Sequence, residues 1–394
     1  MSIRWGVSSI VVLTVALQAC SAADHEEAAP LSGVTAVSAG FDSNCALIED
    51  GSVRCWGSNY SGQLGNGDLG ETPPDSFTAV PVRYVANAVG VSVGQDHACA
   101  ALADGSVKCW GQLPGPWLTE RPSQPALPVD AVTAAHTLAA GRNHTCALLT
   151  DATVQCWGNG SLVPLGDGSP PSAPPSPWAS AVAVAELSDV TAIAVSSPAG
   201  SCALLESGEV KCWGDTWVDG DTLADESLAG RIWLTYTPTP RVVEGLPSAA
   251  GISLAHLYSC AVLRDTTVAC WGLIRENMGG TGRPSVVPVA VADLSDVVAV
   301  STGDSHACAL LSDRSIRCWG LNSAGQLGDG SEVSSAVPVR VQGIDSAIAI
   351  SAGRYRTCAL LADSTVSCWG NRAGGCSNGL CSHSYVPLVV RVSP

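Results

Sequence analysis

The sequence predicts an all-β fold, a seven-bladed β-propeller with about four short strands in each blade, over residues 34–394. The first observation is the pattern Cys-x9-Cys-Trp-Gly, which occurs seven times at a mean spacing of about 52 residues. The second is that each repeat contains four short apolar runs separated by Gly, Pro and tight turns, which is typical of strands. The third is an apolar content supplied mainly by Val, Ala and Leu with few charged residues, which favours a β-rich globular domain.

The apolar runs follow the same order in every repeat. An alternating run comes first, as in residues 34–40 and 347–353, and leads into Cys-Ala-Leu or a close variant. A tight turn and a short strand ending in Cys-Trp-Gly follow, and a variable loop then precedes a run such as residues 337–341. Four consecutive strands of this kind form one blade.

The tight turn sets the register of the two cysteines in a repeat. Residues 49–51 are predicted to form a three-residue hairpin loop in which Gly51 takes the left-handed conformation. Cys45 then lies opposite Cys55. Opposed residues at a non-hydrogen-bonded position are close enough for a disulfide, so we expect one disulfide in each blade.

Sixteen of the 17 cysteines form an even set once Cys20 is set aside, as expected for cross-links made in an oxidising compartment. The predicted pairs are Cys45 with Cys55, Cys99 with Cys109, Cys146 with Cys156, Cys202 with Cys212, Cys260 with Cys270, Cys308 with Cys318, Cys358 with Cys368 and, within a Gly-rich loop, Cys376 with Cys381. Free buried thiols and a metal site are the alternatives, although zinc ligands usually converge on one point. The Trp after each second Cys is expected on the opposite strand face, between blades.

The N-terminus predicts export and lipid attachment. Residues 1–19 have a short positive start and an apolar stretch that is too short to span a bilayer. Residues 17–20 resemble the lipobox of bacterial lipoproteins, which makes Cys20 the lipidation site; an ordinary cleaved signal is the alternative. Residues 20–33 are polar and acidic and are predicted to be a flexible tether. We expect a lipid-anchored protein of the cell envelope, at the outer membrane or cell surface if the source is Gram-negative, because Ser21 stands where Asp would signal inner-membrane retention.

The repeats resemble the regulator of chromosome condensation repeat family. Residues 303–310 and 318–330 carry nearly the whole motif, and residues 55–65 carry its Gly-Gln-Leu-Gly segment. The resemblance implies a seven-bladed propeller and raises guanine-nucleotide exchange, an activity of some family members, as an alternative function. The segment is absent from repeats two, four, five and seven and partial at residues 165–166. The His of the motif persists only as His97, His144 and His306, which we expect to be structural.

The charge and the motifs narrow the classes of function. A net charge of −16 without a basic stripe argues against nucleic-acid binding. No motif of a catalytic Ser, a phosphate loop or a zinc protease is present, so we expect no enzyme, no cofactor and no catalytic or metal-binding residues. The acids around Asp219 lack the spacing of a known calcium loop, and whether they bind calcium stays open. A hydrolase or lyase in the central funnel is the alternative from the enzyme class.

Four tryptophans outside the framework indicate a binding surface. They are Trp117, Trp178, Trp217 and Trp233, in the long insertions of repeats two to four. Aromatic side chains among polar residues are common at interfaces, although they also pack long Pro-rich loops. The sequence therefore favours a monomeric binding protein for an unknown protein or glycan, attached to the membrane only through its lipid.

The insertion tryptophans give the first testable prediction. Replacing Trp217 and Trp233 with Ala should weaken partner capture without lowering the melting temperature, because anchors of an interface contribute little to the fold. Parallel pull-down and thermal denaturation measurements check this. Loss of capture that only follows loss of stability would reject the binding role.

Overall fold

Among the residues that the computed structural model describes, all regular secondary structure is β-strand, and it confirms the predicted propeller of seven four-stranded antiparallel blades. The structure describes residues 29–68, 75–112, 124–129, 132–158, 165–169, 180–196, 200–216, 235–255, 257–274, 284–371, 376–377, 380–381 and 384–392. None of these residues belongs to a helix that could cross a membrane.

Six blades are built from four consecutive strands, and in the seventh a two-stranded hairpin lies between the third and the outermost strand. The innermost strands are β1 (Val34–Ala39), β5 (Ala88–Val93), β9 (Ala135–Ala140), β13 (Val190–Val195), β17 (Ala249–Leu254), β21 (Val297–Thr302) and β25 (Ala347–Ala352). The second strands are β2 (Ser43–Ile48), β6 (His97–Leu102), β10 (His144–Leu149), β14 (Gly200–Leu205), β18 (Tyr258–Leu263), β22 (His306–Leu311) and β26 (Arg356–Leu361). The third strands are β3 (Val53–Gly57), β7 (Val107–Gly111), β11 (Val154–Gly158), β15 (Val210–Thr216), β19 (Val268–Leu273), β23 (Ile316–Gly320) and β27 (Val366–Gly370). The outermost strands are β4 (Ser76–Pro81), β8 (Gln124–Pro128), β12 (Val182–Ala183), β16 (Thr235–Val242), β20 (Pro284–Ala290), β24 (Ser335–Arg340) and β30 (Ser384–Val389).

The hairpin between the second and third strands has the predicted register. In the first blade Gly51 has a φ of 77°, its N–H donates to Ile48, and Cys45 lies directly opposite Cys55. All seven predicted Cys-x9-Cys pairs are disulfide-bonded, with Cα atoms 4.0–4.1 Å apart. Because the left-handed turn residue fixes which side chains face each other, the turn determines the disulfide.

The remaining predicted pair lies in a small hairpin of β28 (Cys376–Ser377) and β29 (Leu380–Cys381). Its backbone register places Cys376 opposite Cys381. The side chains of these two residues lie outside the described part of the structure, so their disulfide stays a prediction.

Each inter-blade core joins the disulfide of one blade to the tryptophan of the next. The first such core contains Cys45, Cys55 and Trp110, and the one that closes the ring contains Cys358, Cys368 and Trp56. The other five cores repeat the arrangement. Adjacent residues of a strand point to opposite faces, so the dipeptide Cys-Trp supplies one side chain to each neighbouring blade. The predicted inter-blade position of the tryptophans is confirmed.

Main-chain hydrogen bonds also connect every blade to the next. The first N–H of each innermost strand donates to the carbonyl of the left-handed turn residue in the preceding blade, at 2.9–3.1 Å in all seven cases. Val34 donating to Ser364 is the bond that closes the ring. A ring closed in this way leaves no unpaired blade at either end of the repeat array.

Serine side chains add a second set of bonds between innermost strands. Ser351 Oγ accepts the N–H of Ala39 at 2.8 Å, which joins the seventh blade to the first. Equivalent serines in four other blades make the same bond, namely Ser38, Ser92, Ser253 and Ser301. The third and fourth blades have Ala139 and Ala194 at this position.

The three histidines of the motif lie buried between blades. The Nε2 atom of His97 is hydrogen-bonded to Thr145 at 2.8 Å, that of His144 to Ser201 at 2.7 Å and that of His306 to Thr357 at 2.8 Å. Burial lowers the pKa of His97 to about 4, and the pKa of His144 and of His306 to about 3. The structure therefore places the three imidazoles, uncharged at neutral pH, in the framework role that the sequence predicts.

The two ends of the propeller carry different loops. Because the first and third strands of a blade run in the same direction, the loop 40–42 and the connection beginning at Ser58 lie at one end, where Ser58 N–H donates to Asp42. We call this end the insertion face. The hairpin loop 49–51 and the inter-blade connection 82–87 lie at the other end, the turn face.

The serine bond at ring closure can be tested by substitution. Ser351→Ala should lower the free energy of unfolding by about 1 kcal/mol, because the N–H of Ala39 loses its acceptor. Chemical denaturation measures the change, with the exposed Ser323→Ala as the control. An effect no larger than that of the control would contradict the role of this bond.

The buried histidines predict that stability falls with acid. An unfolded chain binds protons at His below a pKa of about 6.5, whereas the native imidazoles stay neutral until about pH 3 to 4, so the native state loses stability as the pH drops through this window. Each His should remove on the order of 2 kcal/mol between pH 7 and pH 5. His306→Gln should therefore reduce the acid sensitivity seen in denaturation. An unchanged pH dependence would show that His306 is not buried in neutral form.

Candidate functional site

The candidate site is the mouth of the central channel on the insertion face. In five blades a glycine directly follows the innermost strand, and a Cβ added at Gly40 would lie 2.4 Å from the carbonyl oxygen of Gly94 in the next blade. At Gly353 the same atom would lie 2.1 Å from the carbonyl oxygen of Gly40. The close approach of neighbouring blades therefore requires glycine here and makes the rim narrow and rigid.

The residue after each of these five glycines differs from blade to blade, and its side chain lines the mouth. Phe41, Gln95, Arg142, Asp304 and Arg354 occupy this position in five blades around a depression of about 450 Å³, part of which is open to solvent. The corresponding residues of the fourth and fifth blades lie outside the described residues. The rigid rim thus presents a set of aromatic, amide and charged side chains.

Three blades meet at Arg354. Its guanidinium lies over the ring of Phe41 at 4.1 Å and over that of Tyr355 at 4.8 Å. Its Nε atom lies 3.6 Å from a carboxylate oxygen of Asp304. The cation is therefore held in place by the first and sixth blades, and its orientation at the mouth is fixed.

A second arginine replaces the motif histidine in the seventh blade. Arg356 is buried, and its guanidinium lies 3.6 Å from Asp42 of the first blade. With the amide of Asn44 turned to face its donors, the oxygen of Asn44 accepts from Arg356 at 3.0 Å and from Trp56 at 3.2 Å. A charged residue thus takes over the inter-blade contact where the ring closes.

Asp96 of the second blade lies next to the mouth and interacts with side chains of the first, second and third blades. This half-buried carboxylate lies 3.4 Å from Ser61 Oγ and accepts from the amide of Gln95 at 3.1 Å. Burial raises the pKa of Asp96, while the charge of Arg142 opposes that shift. Arg142 itself is exposed at the rim.

The Gly-Gln-Leu-Gly segments accept hydrogen bonds from the tryptophan of the next blade. In the first blade the carbonyl of Gln63 accepts from the indole of Trp110 in the second blade at 2.9 Å, and Leu64 packs in the same core. Gln326 and Trp369 make the same bond between the sixth and seventh blades. In the third repeat, where the segment is partial, the indole N–H of Trp213 has no partner among the residues described. The segment therefore joins adjacent blades where it is present.

Several predicted functional residues lie outside the described residues. They are Cys20 and the tryptophans Trp117, Trp178, Trp217 and Trp233. The side chains of the acidic cluster around Asp219 lie outside them as well. β15 ends at Thr216 and β16 begins at Thr235, both on the insertion face.

The mouth residues themselves were missed in the sequence. The signal that could have found them is the position after the glycine that follows the innermost strand in five blades, where Phe41, Gln95, Arg142 and Arg354 differ from one another. Among the described residues no group of three or more His, Cys, Asp or Glu side chains is close enough to hold a metal ion. The arrangement is chemically suited to contacts with a binding partner.

Solved structures with similar folds are propellers from yeast and human. The crystal structure of Prp20p from Saccharomyces cerevisiae, reported with its binding properties to Gsp1p and histones, matches with a TM-score of 0.65 and 19% identity, covering 81% of this chain and 80% of that chain. Yeast RCC1 (Prp20) bound to Kap60 matches with a TM-score of 0.65 and 19% identity over 81% and 78% of the two chains. Human WBSCR16 matches with a TM-score of 0.68 and 19% identity over 86% and 95%. At this identity the likeness shows the fold alone.

Models of the regulator of chromosome condensation (RCC1) repeat match the sequence itself. One matches residues 34–63, 136–162, 297–326 and 347–375, and a second matches residues 50–101 and 318–360. These matches fall on blades one, two, three, six and seven, which include all three described copies of the Gly-Gln-Leu-Gly segment or its remnant. The chain therefore contains regulator of chromosome condensation (RCC1) repeats in these five blades.

Proposed function

We propose that this chain is an exported, lipid-anchored protein that holds a partner protein on its insertion face at the cell envelope. The observation that carries the proposal is the combination of seven buried intra-blade disulfides with a separate Cys20 at the end of a signal-like segment. Disulfides in this number persist in oxidising compartments outside the cytosol. A cytosolic or nuclear role, including nucleotide exchange, fits them poorly.

The path of the chain near the N-terminus supports this arrangement. β1 starts at the turn face, and the preceding Leu31 N–H donates to Val390, where β30 ends on the same face. A tether that begins at Cys20 would therefore reach the propeller at the turn face, ahead of Leu31. A lipid at Cys20 would leave the insertion face directed away from the membrane and open to a partner.

The charge of the turn face is consistent with a propeller held off the bilayer. Six of the seven hairpin loops place an exposed aspartate there, namely Asp50, Asp104, Asp151, Asp265, Asp313 and Asp363. A Ser or Thr hydroxyl two residues further along the chain donates to each and lowers its pKa, so all six are ionised at neutral pH. Anionic headgroups repel such a surface, which disfavours direct contact with the membrane.

A protein fits the partner role better than a glycan. The similar yeast propeller is described with binding to Gsp1p and histones, and in another structure with Kap60. At the mouth, aromatic and arginine side chains stand together on a rigid rim, a composition enriched in protein interfaces. We therefore propose a non-enzymatic binding role, and a glycan partner is one outcome of the tests.

The lipid anchor is tested by substitution of Cys20. Cys20→Ala should remove the acyl mass from the mature protein and move it from the membrane to the soluble fraction, because the anchor is the only proposed membrane attachment. Mass spectrometry and fractionation of cells measure both effects, with Ser21→Ala as the matched control. A wild-type protein that carries no acyl mass on Cys20 would contradict the anchor.

The binding role is tested in intact envelopes. Cross-linking followed by a pull-down through a tag placed after Pro394 should recover one partner protein in a stoichiometric complex. Recovery of polysaccharide in place of protein would favour a glycan ligand. A chain that emerges from cross-linked envelopes alone would argue against a binding module.

A further inference from the structure

One exposed aromatic side chain on the insertion face has no role in the fold. Tyr60 is 72% exposed, whereas Asn59 before it and Ser61 after it are almost completely buried, at 0% and 1%. Buried polar and apolar atoms on both sides hold the backbone in place. Tyr60 is therefore presented to solvent by a rigid loop rather than by a loosely packed one.

The hydrogen bonds of this loop explain its rigidity. Asn59 Oδ1 accepts the N–H of Leu64 at 3.1 Å, and Gln63 Oε1 accepts the N–H of Ser61 at 2.8 Å. The N–H of Asn59 in turn donates to Asp75 at 2.9 Å. None of these bonds involves the side chain of Tyr60.

The sixth blade contains the same loop with a different residue at this position. Asn322 accepts the N–H of Leu327 at 2.9 Å, and Gln326 accepts the N–H of Ala324 at 2.9 Å, as in the first blade. The residue equivalent to Tyr60 is Ser323, which is exposed as well. The loop therefore forms with a small polar residue, and its structure does not require a tyrosine.

The loop that carries Tyr60 is connected to the channel mouth through its next residue, Ser61. The hydroxyl of its neighbour Ser61 contacts Asp96 at 3.4 Å, and Asp96 is bonded to Gln95 at the rim. From Gln95 the rim passes to Phe41 on one side, whose N–H donates to Gly94, and to Arg142 on the other. Tyr60 and the exposed Arg142 therefore both lie on the insertion face.

We propose that Tyr60 is the anchor residue of the partner-binding surface and inserts into an apolar cleft of a protein partner. Arg142 then donates to carboxylate or carbonyl oxygens at the edge of that cleft. Tyrosine suits the role because it offers a large contact area with few rotatable bonds, and the rigid loop reduces the entropy lost on binding. The inference rests on the proposed function and adds to it the residues and the chemistry of the contact.

The experiment uses the full chain in its native envelope. A photo-reactive benzoylphenylalanine replaces Tyr60, Ser323 or Tyr84 in separate strains. Tyr84 is the matched control because it is a tyrosine exposed to a similar extent, 67%, but lies in the connection on the turn face. The protein cross-linked at position 60 is identified, purified and titrated against purified wild-type chain and its Tyr60→Ser, Tyr84→Ser and Arg142→Ala variants.

The expected result is an adduct at position 60 and none at position 84, with binding weakened at least about tenfold by Tyr60→Ser and by less than about twofold by Tyr84→Ser. Arg142→Ala should weaken binding and reduce its salt dependence. Because Ser occupies the equivalent position in the sixth blade, Tyr60→Ser should keep the wild-type melting temperature.

Two other results would overturn the inference in distinguishable ways. Adducts at position 323 without any at position 60, or wild-type affinity of Tyr60→Ser, would reject Tyr60 as the anchor and leave the binding function in place. Adducts only at position 84, or at none of the three positions, would reject both the anchor and the insertion face as the binding surface. Wild-type affinity of Arg142→Ala would reject the polar part of the contact.

Discussion

The packing of one disulfide against one indole, repeated at all seven blade interfaces, is the contact on which the rest of this structure depends. Cysteine and tryptophan are adjacent on the third strand of each blade and point to opposite sheet faces, so each blade is apolar on both sides in a fixed way. The hairpin turn before them sets the register, and its left-handed residue also accepts the bond from the next blade. The same short segment therefore fixes the strand pairing, the disulfide and the contact with the adjacent blade. The core that contains Trp56, Cys358 and Cys368 joins the seventh blade to the first and closes the ring.

Because the disulfides stabilise each blade internally, the loops of the insertion face can differ in sequence from one blade to another. Gly-Gln-Leu-Gly segments support the first and sixth blades, while other repeats lack the segment and still retain their disulfide and tryptophan. Where a motif residue is missing, another contact replaces it, as Arg356 does for histidine at ring closure. Variation is thereby directed to one end of the molecule, where the mouth residues and Tyr60 lie, and the turn face keeps its repeated aspartates.

The sequence was sufficient for the features that repeat with a fixed spacing. The blade count, the Cys45–Cys55 register and the inter-blade tryptophans follow from strand alternation and turn chemistry, which act over about ten residues. The mouth could not be predicted in this way, because Phe41, Arg142 and Arg354 are brought together by closure of the ring and belong to different blades. Tyr60 differs from an ordinary exposed loop residue only in the burial of its two neighbours, which is a property of the folded chain. The predicted roles of Cys20 and the four insertion tryptophans rest on the sequence alone.

Disulfide mapping of protein recovered from its native compartment tests the central claim most directly. Proteolysis without reduction, followed by mass spectrometry of the linked peptides, should identify seven bonds that each join cysteines ten residues apart, from Cys45–Cys55 to Cys358–Cys368. Free thiols at these fourteen positions, or bonds that join cysteines of different blades, would contradict both the hairpin register and the packing built on it.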